Sequence, residues 1–236
     1  MNFSSEDYQL LDFALREDVG AGDVTSEFFV GENDQASARA IAKERAVVAG
    51  TEVAAEIFRR VDPDLRLEIA QKDGAVVSAG TTVLEIRGRA RSILTAERVA
   101  LNFLQRLSGI ATLTHQFVEA AGPTGAKILD TRKTTPGLRK FEKAAVLAGG
   151  GTNHRFGLFD MVLVKDNHLL ARNGHIGVRI GPHGGVLIGP TAQFPQPVRD
   201  DLRYGFRSTD EHPEHGERRT HAVPQECDPA LFHQFA

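Results

Sequence analysis

The chain of 236 residues has little cysteine and no tryptophan. A single cysteine, Cys227, excludes an internal disulfide framework and a metal site built from several cysteines. A chain without disulfides is typical of a reducing compartment, so we expect a cytoplasmic location. The sequence has no run of 18 apolar residues, which argues against a membrane-spanning helix. The first residues also lack the basic and then apolar pattern of a signal peptide, and we expect none.

A net positive charge is confined to one segment of the chain. The net charge of −3 argues against a nucleic-acid partner. Residues 127–168, here called the basic segment, hold 8 Lys and Arg against 4 Asp and Glu. The corresponding counts are 13 against 19 in residues 1–126 and 7 against 8 in residues 172–236. A solvated helix face is the ordinary explanation of a charge run, but several of these charges follow strand-like runs.

Hydrophobic periodicity predicts a mixed α/β chain. Ser108-Gly109 is expected to separate two helices, and a Gly turn is expected to divide the strand-like run 75–90. The order strand, helix, strand in the basic segment implies a parallel βαβ unit, whose strand ends are common ligand positions. The predicted helices are 6–17, 51–61, 92–107, 112–121 and 138–148, and the predicted strands are 36–48, 65–71, 75–90, 127–131 and 159–168.

Residues 172–236 differ from the rest of the chain. They contain no lysine but hold 7 of the 10 prolines and 6 of the 9 histidines. Glycine and proline together make up 15 of these 65 residues. This composition, without a persistent helix or strand pattern, predicts a loop or a poorly ordered tail.

Cationic side chains of the basic segment suit a small anion. Arg132, Lys133, Arg155 and Lys165 end or follow strand-like runs, and His154 adds a donor. Arginine binds a carboxylate or phosphate through paired N–H donors. Several cations together fit a ligand with two adjacent carboxylates better than a monoanion. The alternative is that these cations pair within the chain, with Asp130, Asp160 and Asp166.

Three other patterns have simpler explanations. Arg139 and Lys143 stand four apart on a predicted helix and are expected to form a solvated face. Asp166 and His168 are weak evidence for a metal site, since a structural role explains them equally well. The glycines at 149–151 are expected to end the helix rather than cradle phosphate, which prefers a helix N-terminus.

Five strings, in order, resemble the quinolinate phosphoribosyltransferase family: EDVGAGDVT, TAERVALNFLQRLSGIAT, ILDTRKTTPGLRKFEKAAV, GGGTNHRFGLFD and VLVKDNH. The resemblance covers residues 6–171, and residues 172–236 do not match. It implies an N-terminal open α/β sandwich over residues 1–108. The first part of an incomplete α/β barrel, with the dicarboxylate site, would follow over residues 109–171, and then the Pro/His/Gly-rich tail.

The resemblance also implies roles for individual residues. The quinolinate site would be formed by Thr131, Arg132, Lys133, His154, Arg155 and Lys165, with Arg98 supplied by the partner subunit of a homodimer. Lys133 and Lys165 would be catalytic. The implied reaction joins quinolinate to phosphoribosyl pyrophosphate, with Mg²⁺, and gives nicotinate mononucleotide, pyrophosphate and carbon dioxide in de novo NAD biosynthesis. No residue is assigned as a metal ligand, and neither nucleic acid nor membrane is expected as a partner.

Three alternatives remain open. The chain could be a paralogue of the molybdenum-transport-associated type, or a catalytically impaired remnant that keeps only the anion-binding half. The third alternative, a biotinyl/lipoyl carrier domain suggested by residues 72–86, lacks a lysine at the hairpin tip. The later barrel strings are not recognisable in residues 172–236, which suggests a shifted reading frame. A barrel cut near its middle exposes strand edges, so the chain as written is expected to be poorly soluble or inactive.

Overall fold

A computed structural model of the chain describes residues 3–165, 168, 177–180 and 186–189. These residues fall into two compact units that divide between Asp160 and Met161. None of the described helices is long and apolar enough to cross a membrane. The first unit consists, in chain order, of α1 (Ser5–Val19), α2 (Val24–Phe29), β1 (Gln35–Ile41), β2 (Ala46–Val47), α3 (Thr51–Val61), β3 (Arg66–Ile69), β4 (Val76–Val77), β5 (Thr82–Arg89), α4 (Ala90–Ala121), a short 3-10 helix (Gly122–Thr124) and α5 (Arg139–Ala148).

The N-terminal half contains a three-stranded antiparallel sheet with one covered face. Strand β5 lies between β1 and β3, with Ile86 opposite Ala38 on one side and Leu67 on the other. Ala38, Ala40 and Ile86 are buried and join the core with α3 and α4, whereas Ser37 and Arg39, on the opposite face of β1, are exposed. This alternation follows the two-residue period of a strand. The expected mixed α/β fold, with an open sandwich at its N-terminal end, is confirmed.

Helix α3 begins at the residue that the periodicity predicts, and a distant aspartate supplies its N-terminal cap. Asp73 accepts hydrogen bonds from the backbone nitrogens of Gly50 (2.9 Å) and Thr51 (3.0 Å) and from Thr51 Oγ1 (2.8 Å). These bonds satisfy amides that have no partner within the helix. Gly50 has a φ of +89°, and a Cβ there would lie 2.6 Å from Leu107 Cδ1. The start of α3 therefore requires glycine.

Helix α4 is one continuous helix of 32 residues, so the predicted break at Ser108-Gly109 is wrong. Ser108 is fully buried, and its Oγ accepts from the Ala49 nitrogen (3.0 Å) and donates to the Ala49 oxygen (3.2 Å). The small residues at this point allow the segment after β2 to approach the helix closely. They mark a tertiary contact rather than a helix end.

The parallel βαβ unit predicted for the basic segment is only partly present. Helix α5 is confirmed, and α5 ends at Gly149 as expected. The first predicted strand is reduced to a single parallel bridge between Leu129 and Thr152. The predicted strand 159–168 is wrong for its described residues 159–165, which belong to no helix or strand. The Asp160 carboxylate instead closes a turn by accepting from the nitrogens of Phe156 (2.6 Å) and Gly157 (2.9 Å).

Within the second unit, β6 (Gly177–Ile180) pairs with the antiparallel strand β7 (Val186–Gly189). Val178 lies opposite Ile188. Beyond these two four-residue strands, the loop or poorly ordered tail stays a prediction. The remainder of residues 172–236 lies outside the described residues.

Candidate functional site

A buried ion pair lies beneath the predicted anion site. Lys143 Nζ on α5 donates to both carboxylate oxygens of Asp130, each at 2.7 Å. The side chains of Lys143 and Asp130 are 1% and 6% exposed. The predicted solvated face is therefore wrong for Lys143, whose charge is buried and paired. The sequence carried no direct signal for this pair, because Asp130 lies outside the helices and strands, 13 residues before Lys143 of α5.

The same pair binds the segment that carries His154. Lys143 Nζ donates to the His154 oxygen at 3.1 Å, and the His154 nitrogen donates to Asp130 Oδ1 at 2.7 Å. The surrounding acceptors assign the Asn153 amide nitrogen to the inner position, where it donates to Asp130 Oδ2 at 2.8 Å and to the Lys143 oxygen at 3.0 Å. These bonds, together with the backbone bridge at Thr152, join residues 128–133 to residues 152–156.

The ring of His154 has a defined tautomer when it is neutral. Its Nδ1 accepts a hydrogen bond from the Arg155 backbone nitrogen at 2.7 Å. A nitrogen that accepts an N–H carries no proton itself, so the neutral ring holds its proton on Nε2. His154 therefore offers an N–H donor from the side of the ring that faces away from its own backbone.

Arg139 also connects the two segments, so the predicted solvated face is wrong for this residue too. Its guanidinium donates to Thr134 Oγ1 (3.1 Å), to the Phe156 oxygen (3.2 Å) and, at the limit of hydrogen-bonding distance, to the Arg132 oxygen (3.5 Å). One planar side chain thereby bridges the turn after Asp130 and the turn before Asp160. The sequence analysis missed Asp130, Arg139 and Lys143 as supports of the site.

Five of the seven predicted site residues lie on the joined segments: Thr131, Arg132 and Lys133 on the first, and His154 and Arg155 on the second. Thr131 Oγ1 accepts from the Lys133 nitrogen at 3.0 Å, which forms a tight turn between them. Arg132 is half-buried, and its Nε is buried without a hydrogen-bond partner among the described residues. Among the described residues neither Arg132 nor Lys133 forms an ion pair, because Asp130 and Asp160 are bound to other groups. The internal pairing considered as an alternative is therefore not found for these two cations. Arg155, the next residue after His154, is buried.

The other two predicted residues are Arg98 and Lys165. Arg98 is exposed on α4, and the described hydrogen bonds and ion pairs do not join it to Thr131, Arg132, Lys133 or His154. Lys165 belongs to the second unit, where its backbone nitrogen donates to His168 Nδ1 at 2.9 Å. Asp166 lies outside the described residues.

The described residues include no ready-made metal-binding cluster. They contain no group of three or more His, Cys, Asp or Glu side chains that could hold a metal ion. The two carboxylates nearest the cluster are already engaged, Asp130 by Lys143 and Asp160 by backbone amides. The amide hydrogen bonds from Phe156 and Gly157 lower the pKa of Asp160, because they stabilise its charged form.

Comparison with known proteins identifies the family that this chain resembles. The model of the quinolinate phosphoribosyl transferase N-terminal domain matches residues 23–108, and that of its C-terminal domain matches residues 110–177. A quinolinate phosphoribosyltransferase [decarboxylating] from Nicotiana tabacum is 51% identical over 166 residues, which cover 70% of this chain and 47% of the relative. A probable nicotinate-nucleotide pyrophosphorylase [carboxylating] from Bacillus subtilis is 45% identical over 163 residues, 69% of this chain and 56% of the relative.

Solved structures agree with the sequence relatives. The crystal structure of NadC from Streptococcus pyogenes has a TM-score of 0.70 and 45% identity, with 73% of this chain and 62% of that chain covered. Nicotinate-nucleotide pyrophosphorylase from Francisella tularensis gives 0.68 and 38% over the same shares. The α/β fold carries cations on two joined segments, as the sequence predicted. The chain belongs to the quinolinate phosphoribosyltransferase family, and it spans about half the length of the plant relatives it matches.

Proposed function

We propose that the chain binds quinolinate and acts as a phosphoribosyltransferase that forms nicotinate mononucleotide. The observation that carries this proposal is the group of cations around Arg132 and Lys133, beside His154 and Arg155, in a chain whose relatives are named for this activity. Adjacent carboxylates on one pyridine ring need several cations at once, and arginine provides paired donors for each. The same cations do not suit an apolar or positively charged ligand.

In the proposed reaction the pyridine nitrogen attacks C1 of phosphoribosyl pyrophosphate. The C1–O bond to pyrophosphate breaks, and pyrophosphate leaves with the bonding electrons. The positively charged ring then loses its 2-carboxylate as carbon dioxide, and the carbanion at C2 takes up a proton. Lys133 and Lys165 are the proposed catalytic groups, because a compact ammonium offsets the charge of two anions brought together. Mg²⁺ is proposed to enter bound to phosphoribosyl pyrophosphate, because the described residues contain no group of three or more His, Cys, Asp or Glu side chains to hold it alone.

The proposal includes a homodimer in which Arg98 of the partner subunit completes the site. Its support is the exposed position of Arg98 on α4, where no described hydrogen bond or ion pair joins it to the cluster of its own chain. Sedimentation velocity tests the dimer and should report a mass near twice 25.7 kDa. A cytoplasmic location belongs to the proposal as well. Two relatives from Nicotiana glauca and Arabidopsis thaliana are named as mitochondrial and chloroplastic, respectively.

Isothermal titration calorimetry with quinolinate tests the binding half directly. Nicotinate, which has one carboxylate fewer, is the matched control ligand and should bind more weakly. Arg132→Ala should weaken quinolinate binding by about tenfold or more, since a charged hydrogen bond contributes about 1.5–3 kcal/mol. Arg87→Ala is the control variant, because Arg87 is 65% exposed on β5 and pairs with Glu85 of the same strand. Equal affinity for quinolinate and nicotinate would refute the proposed ligand.

Direct binding of phosphoribosyl pyrophosphate, followed by a turnover assay, tests the second half. Release of carbon dioxide from quinolinate only when phosphoribosyl pyrophosphate and Mg²⁺ are present would support the transferase. Quinolinate binding without phosphoribosyl pyrophosphate binding would instead identify the chain as an anion-binding remnant. Binding of a different oxyanion in place of quinolinate would identify a paralogue.

A further inference from the structure

We propose that the buried Asp130–Lys143 pair is a positioning element. It sets the spacing between the two segments of the dicarboxylate site, residues 128–133 and residues 152–156. This inference rests on the proposed function, because it concerns the same site. Asp130 immediately precedes Thr131, Arg132 and Lys133. The pair also binds the backbone of His154, the residue before Arg155. Lys143 and Asp130 therefore act through the residues beside them and do not themselves meet the ligand.

The hydrogen bonds of the pair all end on one or the other segment. Asp130 receives four hydrogen bonds: two from Lys143 Nζ, one at each oxygen, one from the His154 nitrogen, and one from the inward-directed Asn153 amide. Lys143 Nζ gives its third donor to the His154 oxygen. The N–H and the C=O of the same residue, His154, are thereby fixed by the two members of one ion pair. This fixes both the position and the orientation of the peptide planes that lead into Arg155.

Stability alone does not account for such a pair. Two charges lose their hydration when they are buried, and a well-packed apolar pair of similar volume often stabilises a fold equally well. An apolar pair, however, cannot bind both the N–H and the C=O of His154. The function that only the ion pair can perform is to hold residues 130–133 against residues 153–155. Displacement of a binding group by about 1 Å can cost on the order of a hundredfold in rate or affinity.

The decisive comparison uses the full chain and three variants. Lys143→Met keeps the length of the side chain and removes its charge, which leaves Asp130 buried and unpaired. Asp130→Asn combined with Lys143→Met removes both charges, so the unfolding midpoint should recover toward that of the unmodified chain. Lys140→Met is the matched control, because Lys140 lies on the same helix but pairs with Asp7 of α1, in a partly exposed position.

Quinolinate affinity is measured by calorimetry at a temperature where circular dichroism shows every variant to be folded. Lys143→Met should bind about tenfold more weakly or worse, and Lys140→Met should bind like the unmodified chain. The double variant should remain weak although its stability recovers, because a methionine side chain in place of Lys143 cannot donate to the His154 oxygen. A double variant that regains affinity together with stability would overturn the positioning role, and so would a Lys143→Met variant that binds like Lys140→Met.

Amide hydrogen exchange separates failure of this inference from failure of the proposed function. If the unmodified chain does not bind quinolinate, the proposed function is lost, but the positioning role can still be judged. Exchange at residues 131–133 and at Arg155 should be faster in Lys143→Met than in Lys140→Met. Equal exchange in the two variants would overturn the inference whatever the ligand is.

Discussion

Substitution of His154 can separate the two roles of its imidazole ring. Nδ1 accepts from the Arg155 nitrogen at 2.7 Å, which leaves Nε2–H as the donor available to a ligand. In His154→Asn the side-chain oxygen can replace Nδ1 as the acceptor, but no atom reaches the position of Nε2. In His154→Gln the amide nitrogen replaces Nε2, but the acceptor for the Arg155 N–H is lost. The two variants should therefore fail in opposite ways.

The expected magnitudes follow from the bonds that each variant loses. A hydrogen bond to a carboxylate contributes about 1.5–3 kcal/mol, so His154→Asn should weaken quinolinate binding by about 10- to 150-fold with nearly unchanged stability. His154→Gln should keep affinity within about threefold but lose about 1 kcal/mol of folding free energy, since one backbone donor loses its partner. Calorimetry with quinolinate measures the first quantity and urea denaturation the second.

The opposite ranking would refute the assigned tautomer. If His154→Gln bound more weakly than His154→Asn, the ligand donor would have to be Nδ1–H, which contradicts the hydrogen bond from Arg155. If both variants bound like the unmodified chain, His154 would have no contact with quinolinate.

Two further predictions concern stability. Asp62 is 1% exposed and accepts from Arg89 Nε and Nη2, each at 2.8 Å, and these bonds lower the pKa of its carboxyl. Its stabilising effect is present above about pH 4, its ordinary pKa, and is lost as the pH falls through the lowered value. The deficit of Asp62→Asn should thus shrink below about pH 4 in urea denaturation, and a constant deficit would contradict this cause. Ser108→Ala leaves the Ala49 N–H without its acceptor and should cost about 1–3 kcal/mol, whereas exposed Ser78→Ala should cost nothing measurable.

The elements that the sequence predicts well are those fixed by local pattern. Helix α3 has the predicted bounds 51–61, because its apolar spacing is regular and Gly50 precedes it. The predictions failed where a distant contact decides. Ser108 is compatible with a helix interior only because Ala49 binds it, and Lys143 is buried only because Asp130 neutralises it. The apolar run at 159–165 has the composition of a strand, but composition does not determine whether a neighbouring strand is available for pairing.

In the candidate site too, some features were predictable from the sequence and others depend on contacts between distant residues. The cationic residue types and their order were visible in the sequence, and Arg132, Lys133 and His154 lie on adjoining segments. The supports beneath them were not visible, since Arg139 and Lys143 have the spacing of an ordinary surface helix. Residue types alone do not show whether an ion pair is buried or exposed. Here only the packing of α5 against α4 distinguishes the two.

Because α4 is continuous, it connects residues that lie far apart along one rigid helix. At 1.5 Å per residue, a helix of 32 residues is about 48 Å long. Helix α5 packs against its middle, where Phe103 contacts Phe141 and Arg106 binds Glu142. Arg98 lies about two turns nearer the N-terminal end of α4. In the proposed dimer that end reaches the site of the other subunit. In that dimer one continuous helix would connect the α5 contact of its own subunit to the Arg98 side chain that serves the other subunit.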